Sequence, residues 1–243
     1  MDRVAEQSLE LPMVVGSVQN FGWVEPGVLA RGEQPKLEES AFRALHAAGI
    51  GTILSLRPDD EPPPEHQGLR VWPVYHVEDE RRLAERVGLQ FRHVPMQDFS
   101  APHPDEVAQA LEVLDQAVAA APAVFVHCRA GAGRTGLVTG AWTIARGRCS
   151  GDDVAAIYAR FMHHTAQRYG LDPETVRQVQ RRVGQPRVWW ALQRIAEALG
   201  SPVVGQAFDL LPPEPPAEAA DWPAGYAAAL RPWRLRRSRL GAG

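Results

Sequence analysis

Cys128 and Arg134 lie six positions apart in the run His127-Cys128-Arg129-Ala130-Gly131-Ala132-Gly133-Arg134-Thr135-Gly136. An apolar stretch, Ala123-Val124-Phe125-Val126, precedes the run, and a helix-compatible stretch, residues 137–146, follows it. The pattern reads as strand, tight loop, helix. Such a loop supplies what a phosphate monoester dianion requires, namely converging backbone N–H groups backed by a helix amino terminus. Gly131 and Gly133 suit sharp turning and present amides without an obstructing Cβ. Arg134 adds a planar fork that grips two oxygens at once. A cradle shaped for an anion also favours an ionised thiol, so Cys128 is a candidate nucleophile for in-line attack on phosphorus, forming a phosphocysteine intermediate. Arg129, Ala130, Gly131, Ala132 and Gly133 then form the substrate-binding loop with Arg134. The Thr135 hydroxyl is suited to assist the departing sulfur, and His127 to orient the loop by hydrogen bonding. The plain structural alternative makes Cys128 a small buried residue at the end of a strand.

The fixed pattern His-Cys-x-x-Gly-x-Gly-Arg, followed by Ser or Thr, is filled at every position from His127 to Thr135. On these residues the chain resembles the cysteine-dependent protein tyrosine phosphatase superfamily, and more closely its small dual-specificity phosphatase-like branch. A rhodanese-type sulfurtransferase also uses a cysteine loop, but the glycines and the Arg-Thr pair fit phosphatases better. The resemblance spans roughly residues 20–183. It implies a phosphatase of phosphotyrosine and, in this branch, of phosphoserine and phosphothreonine, acting with no metal and no other cofactor.

The resemblance also implies a general acid, an aspartate on a loop about thirty residues before the cysteine, which protonates the leaving oxygen. Asp98 stands there, after a strand reading Phe91-Arg92-His93-Val94-Pro95-Met96. Its structural alternative is a turn or cap residue before the helix that starts near Pro104. Asp105 and Glu106 are the nearest competitors, but the dipole of that helix accounts for them. The Lys-Asn-Arg-Tyr recognition motif of strict phosphotyrosine enzymes is missing, which implies a shallower pocket. Basic residues after the nucleophile occur in relatives acting on phosphoinositides or inositol phosphates. Arg129 supplies one such charge and Ala132 withholds a second, so hydrolysis of those substrates is the alternative function, with a surface salt bridge the plain reading of Arg129. A low-activity phospho-binding module and a docking scaffold are the remaining readings. Gln178 and Gln180 lie in the general region where relatives keep a water-positioning glutamine.

Further elements must place these residues. A strand pair around Pro26-Gly27 ends in Leu29-Ala30-Arg31-Gly32, like the opening hairpin of small dual-specificity enzymes. Residues 36–48 read as a helix stopped by Gly49, Thr52–Leu56 as a buried strand, and Ser55-Leu56-Arg57-Pro58 resembles the strand end of bacterial relatives. Residues 78–87 form a charged helix and residues 104–120 a longer one with Val107, Leu111, Leu114 and Val118 at core spacing. After the loop come helices over residues 137–146, 152–161 and 172–183. The expected fold is α/β: a central, mostly parallel sheet flanked by helices, with the site at the carboxyl ends of its strands and a helical, Pro-rich extension after it.

The segments expected are 1–19, a catalytic domain over 20–183, and an extension over 184–243. In the extension, residues 187–199 read as an amphipathic helix carrying Trp189 and Trp190, and residues 201–218 as a Pro-rich extended linker. Arg231, Arg234, Arg236, Arg237 and Arg239 crowd residues 231–239; they are either a solvated tail or a contact for an anionic surface or partner. The net charge of −3, from 26 basic and 29 acidic residues, gives no general attraction to nucleic acid. Two cysteines, Cys128 and Cys149, make no disulfide framework. Cys149 sits in a turn, as an incidental residue or a resolving thiol. No apolar run is long enough to span a membrane and no signal peptide is visible, so the expected location is cytoplasmic.

Overall fold

The computed structural model describes residues 13–59, 76–98, 100–120, 122–168, 172, 174–175, 178, 185–205 and 213–240. The strands are β1 (Met13–Val15), β2 (Val18–Glu25), β3 (Leu29–Gly32), β4 (Ile50–Ser55), β5 (Gln90–His93) and β6 (Ala123–His127). The helices are α1 (Glu39–Ala47), α2 (Val77–Arg86), α3 (Pro104–Ala120), α4 (Gly133–Ala145), α5 (Gly151–Arg168), α6 (Gln185–Ala198), α7 (Trp222–Ala229) and α8 (Arg231–Leu240). The chain divides into two compact units, one of residues 6–98 and 112–135, the other of residues 1–5, 99–111 and 136–243.

The first unit contains the whole sheet, in the order β1-β2-β3-β6-β4-β5. The outer hairpins β1–β2 and β2–β3 are antiparallel, and β3, β6, β4 and β5 run parallel. The sheet is therefore mixed, and the α/β architecture expected from the sequence is the one observed. Strand β1 falls in the amino-terminal stretch for which no element is expected, and it extends the sheet through Val15 and Val18. Strands β4 and β6 are buried at every residue, which matches their unbroken apolar runs. On one face, Phe42 and Leu45 of α1 pack with Ile53, Phe91 and Phe125. The stacked rings of Phe21 and Phe125 join the hairpin to the centre.

Register brings the carboxyl ends of the parallel strands level: Gly32 of β3 pairs with His127, His127 with Ser55, and Ser55 with His93. The residues that follow, Glu33 and Gln34, Cys128, Leu56 and Arg57, and Val94 to Asp98, all emerge at one end. That is the sheet edge where ligands bind in parallel α/β folds.

The second unit is helical. Gly140 of α4 lies so close to α5 that a Cβ there would stand 2.5 Å from Val154 Cγ1, and Trp142 is fully buried. The stretch expected to be a linker is tied down at its described ends. Asp152 Oδ1 accepts hydrogen bonds from the N–H groups of Val204 and Gly205 at 2.9 and 2.8 Å, and Glu214 N donates to Pro186 O. Residues 206–212 of that stretch lie outside the described residues. The Arg-rich segment is the helix α8, with no buried residue and with Arg237 Nη1 donating to Gly200 O at 2.7 Å. The expected helix over 172–183 lies largely outside the described residues, although Asp172 Oδ1 accepts from Glu174 N and Thr175 N as a capping residue should. Among the described residues no helix is long and apolar enough to cross a membrane.

Candidate active site

Cys128 leaves the end of β6, is buried at 3% exposure, and forms no disulfide. The loop after it closes onto α4, which starts at Gly133, four residues earlier than the apolar pattern marks. The first N–H groups of α4 have no partner within the helix, and they carry the positive end of its dipole.

The loop carbonyls are tied outward one after another. Arg129 O accepts from Gln34 N at 3.1 Å, and Ala130 O accepts from Asn20 Nδ2 at 3.0 Å. Arg31 Nη2 donates to Gly131 O at 2.6 Å and to Ala132 O at 3.4 Å. In a planar trans peptide the C=O and the following N–H point in opposite directions. Holding these four carbonyls on Gln34, Asn20 and Arg31 therefore turns the amides of Ala130, Gly131, Ala132 and Gly133 the other way. Four donors are aligned by residues outside the loop.

Gly131 meets two constraints: its φ is +70°, and a Cβ would lie 2.3 Å from the carbonyl carbon and oxygen of Gly32. Gly133 has open space around its Cα, so the need for a left-handed backbone falls on Gly131.

Asn20 has a positive φ of 55° and is buried at 1% exposure. Asparagine tolerates the left-handed region better than most side chains. Replacing Asn20 by glycine keeps the backbone free of strain and removes the hydrogen bond to Ala130 O, costing about 1–3 kcal/mol. Alanine should cost about 1–3 kcal/mol more through backbone strain. Denaturant unfolding checks the order, and the weakening of inhibition by inorganic phosphate should follow the lost hydrogen bond in both variants.

Asp98 reaches the same place from β5. Val94 N donates to Ser55 O at 3.0 Å and Met96 N to Leu56 O at 3.1 Å, so the segment continues along the end of β4. Arg134 then holds it: Nη1 donates to Met96 O at 3.1 Å, and Nη2 pairs with Asp98 Oδ2 at 2.9 Å. Arg134 is 2% exposed and the Asp98 side chain 19%. The expected phosphate fork and the expected acid are in direct contact, at the end of the loop begun by Cys128. The two competitors lie on α3, where Glu106 Oε2 accepts from His103 N at 2.7 Å as a helix cap and Asp105 approaches His103. Thr135 is fully buried in the first turn of α4.

His127 is supported by charges that sequence reasoning missed. Its Nε2 lies 2.6 Å from Glu80 Oε1, and Glu80 Oε2 lies 3.8 Å from Arg57 Nη1, with all three side chains fully buried. Its Nδ1 is 3.0 Å from Cys128 O, and its ring stacks on Phe125. Glu80 sits on α2 with Val77 and Ala84 along the buried stripe. A glutamate in an apolar stripe was the available signal. Arg31 and Arg57 stand in the two strand-end motifs that sequence comparison noted without giving either a role.

Arg129 is 4% exposed, which removes the reading as a surface cation. Gln178 is exposed on the surface, donating from Nε2 to Glu174 Oε1, while Gln180 lies outside the described residues. Cys149 is buried at the bend after α4, and burial, with the nearby Asp153 carboxylate, pushes its thiol up despite a hydrogen bond from Thr143. It is held as a neutral packing residue.

Residues 30–148 match the family described as "Polymorphic toxin system, DSP-PTPase phosphatase". Among solved structures the chain is similar to TpbA of P. aeruginosa, at 19% identity over 79% of this chain and 98% of that one, with a TM-score of 0.52. It is also similar to the core catalytic domain of the PP-IP phosphatase SIW14 from S. cerevisiae in complex with citrate, at 18% identity over 67% and 91% of the two chains, with a TM-score of 0.43. At 19% identity the likeness to TpbA is one of fold. Over residues 30–148, which carry the cysteine loop, the sequence is similar to that phosphatase family of the DSP-PTPase type.

Proposed function

We propose that the chain hydrolyses phosphate monoesters of the phosphotyrosine class, with Cys128 as nucleophile, Asp98 as general acid and Arg134 as the phosphate fork. The observation that carries this reading is the ion pair of Arg134 with Asp98 at 2.9 Å, beside a loop whose four carbonyls are turned away from the centre. The incoming dianion competes with the Asp98 carboxylate for Arg134 and takes over the fork, and the released carboxylate takes up a proton from solvent to become the general acid. The Cys128 sulfur attacks phosphorus as the P–O bond to the leaving group breaks, and protonated Asp98 gives its proton to that oxygen. Water then attacks the phosphocysteine, Asp98 takes the water proton, and the sulfur leaves as a thiolate assisted by the Thr135 hydroxyl. His127 keeps the loop in place and transfers no proton.

The alternative substrates are inositol phosphates and phosphoinositides, which the one extra cation of the loop, Arg129, would favour. Hydrolysis of an aryl phosphate without added metal tests the reading. Asp98→Ala is expected to lower kcat about 10²-fold on a substrate with a poor leaving group, the size of a lost general-acid contribution. Faster turnover of an inositol polyphosphate than of phosphotyrosine would shift the substrate class and leave the residue roles intact.

A further inference from the structure

The carboxyl-side root of the acid loop is gripped by a helix that lies far outside the cysteine-loop motif. Pro102 follows Asp98 by four positions. Its carbonyl accepts a hydrogen bond from the Tyr226 hydroxyl of α7, and Tyr226 is fully buried. The next two residues meet the same helix. Trp222 sets its ring edge against His103, with centroids 5.5 Å apart and planes at 81°. Gly225 lies so near Pro104 that a Cβ would stand 3.0 Å from Pro104 Cγ. Tyr226 and Trp222 also pack with Trp190 of α6, each with ring centroids 6.4 Å away. In this aromatic cluster a phenylalanine would fill the space of Tyr226, whereas the hydroxyl adds the bond to Pro102. Burial and the Glu106 carboxylate push the Tyr226 phenol well above its ordinary range, so it stays a donor wherever the protein is folded.

We propose that Tyr226 is a positioning residue for the general acid, and that α7 is a clamp fixing residues 102–104 so that Asp98 is delivered at the right distance from the leaving oxygen. The inference rests on the role proposed for Asp98. Misplacing a catalytic group by about 1 Å can cost about 10²-fold in rate, so a hydrogen bond at the loop root has leverage on the chemistry.

The test compares the full-length protein with Tyr226→Phe on two aryl phosphates, nitrophenyl phosphate with a good leaving group and phenyl phosphate with a poor one. Proton donation matters more for the second. The expected result is a fall in kcat/KM, which reports only the steps up to loss of the leaving group, of about tenfold on phenyl phosphate and under about twofold on nitrophenyl phosphate. In an Asp98→Ala background, Tyr226→Phe should then have no further effect, since the group it positions is gone. Equal losses on both substrates, no loss on either, or an undiminished loss in the Asp98→Ala background would overturn the clamp. Gly225→Ala serves if Tyr226→Phe fails to fold. It keeps the hydroxyl, presses Pro104 with one methyl, and should give the same leaving-group dependence; without that dependence the clamp is overturned. Cys128→Ser, assayed alongside, separates the two ideas: hydrolysis surviving in that variant removes the proposed mechanism and the clamp together, whereas its loss with equal Tyr226→Phe effects removes the clamp alone.

Discussion

Cys128→Ser is expected to lower aryl phosphate turnover by about 10⁴-fold or more while leaving the affinity for phosphate esters within a few-fold of wild type. Losing a nucleophile that acts as a unit with its acid and its oxyanion donors removes nearly all of their joint rate gain. A serine hydroxyl keeps its proton near neutral pH and is a far weaker nucleophile than the thiolate it replaces. Binding survives because it depends on atoms the substitution leaves alone. The loop amides stay turned by Gln34, Asn20 and Arg31, and Arg134 keeps its fork. Single-turnover kinetics and calorimetric titration with phosphotyrosine separate the two quantities. Turnover within about tenfold of wild type would exclude a phosphocysteine route, and a parallel loss of affinity would show that the sulfur itself shapes the cradle.

Glu80→Gln is expected to cost the largest share of stability of any single change near the site. Glu80 stands between His127 and Arg57 with no solvent on any of the three side chains. Removing one charge from a buried set leaves the opposite charge uncompensated, typically at about 3–5 kcal/mol. Against a total stability of about 5–15 kcal/mol, that loss is visible in any denaturant titration. Adding Arg57→Met to Glu80→Gln should recover part of it, because the stranded cation goes too. A double variant less stable than Glu80→Gln alone would mean that Arg57 contributes chiefly through its other contacts. The activity of folded Glu80→Gln should also fall, since the ring that holds Cys128 O loses its second support.

The loop was legible because its residues announce their chemistry. Cys128, Arg134, Thr135 and the strand before them sit within one short run, and Asp98 follows a strand with a turn after it. What holds the loop was not legible, since Asn20 and Arg31 lie 110 and 100 positions away from the carbonyls they bind. Periodicity marks which face a residue takes, and says nothing about a side chain crossing between strands to a peptide oxygen. Glu80 looked like one more charge in a charged helix. Its place on the stripe of Val77 and Ala84 becomes meaningful only when the opposite charges are seen. Strand β1 escaped notice because three residues carry too little alternation to register. Tyr226 escaped because its partner is a backbone carbonyl, which has no sequence signature.

The outward-tied carbonyls also set the order in which the protein becomes competent as it is made. Asn20 and Arg31 leave the ribosome long before the loop they hold, and β3 cannot complete its pairing until β6 arrives. Closing a contact over so long a stretch of chain carries an entropy cost that the late strand pairing must offset. The cradle therefore appears at the end of sheet assembly rather than as a local property of the motif. A fragment holding only the cysteine loop and its helix would have the signature without the aligned amides. Phosphate affinity, followed during refolding, thus works as a clock for docking of the amino-terminal hairpin, and it should rise only after the bulk of the β signal has formed.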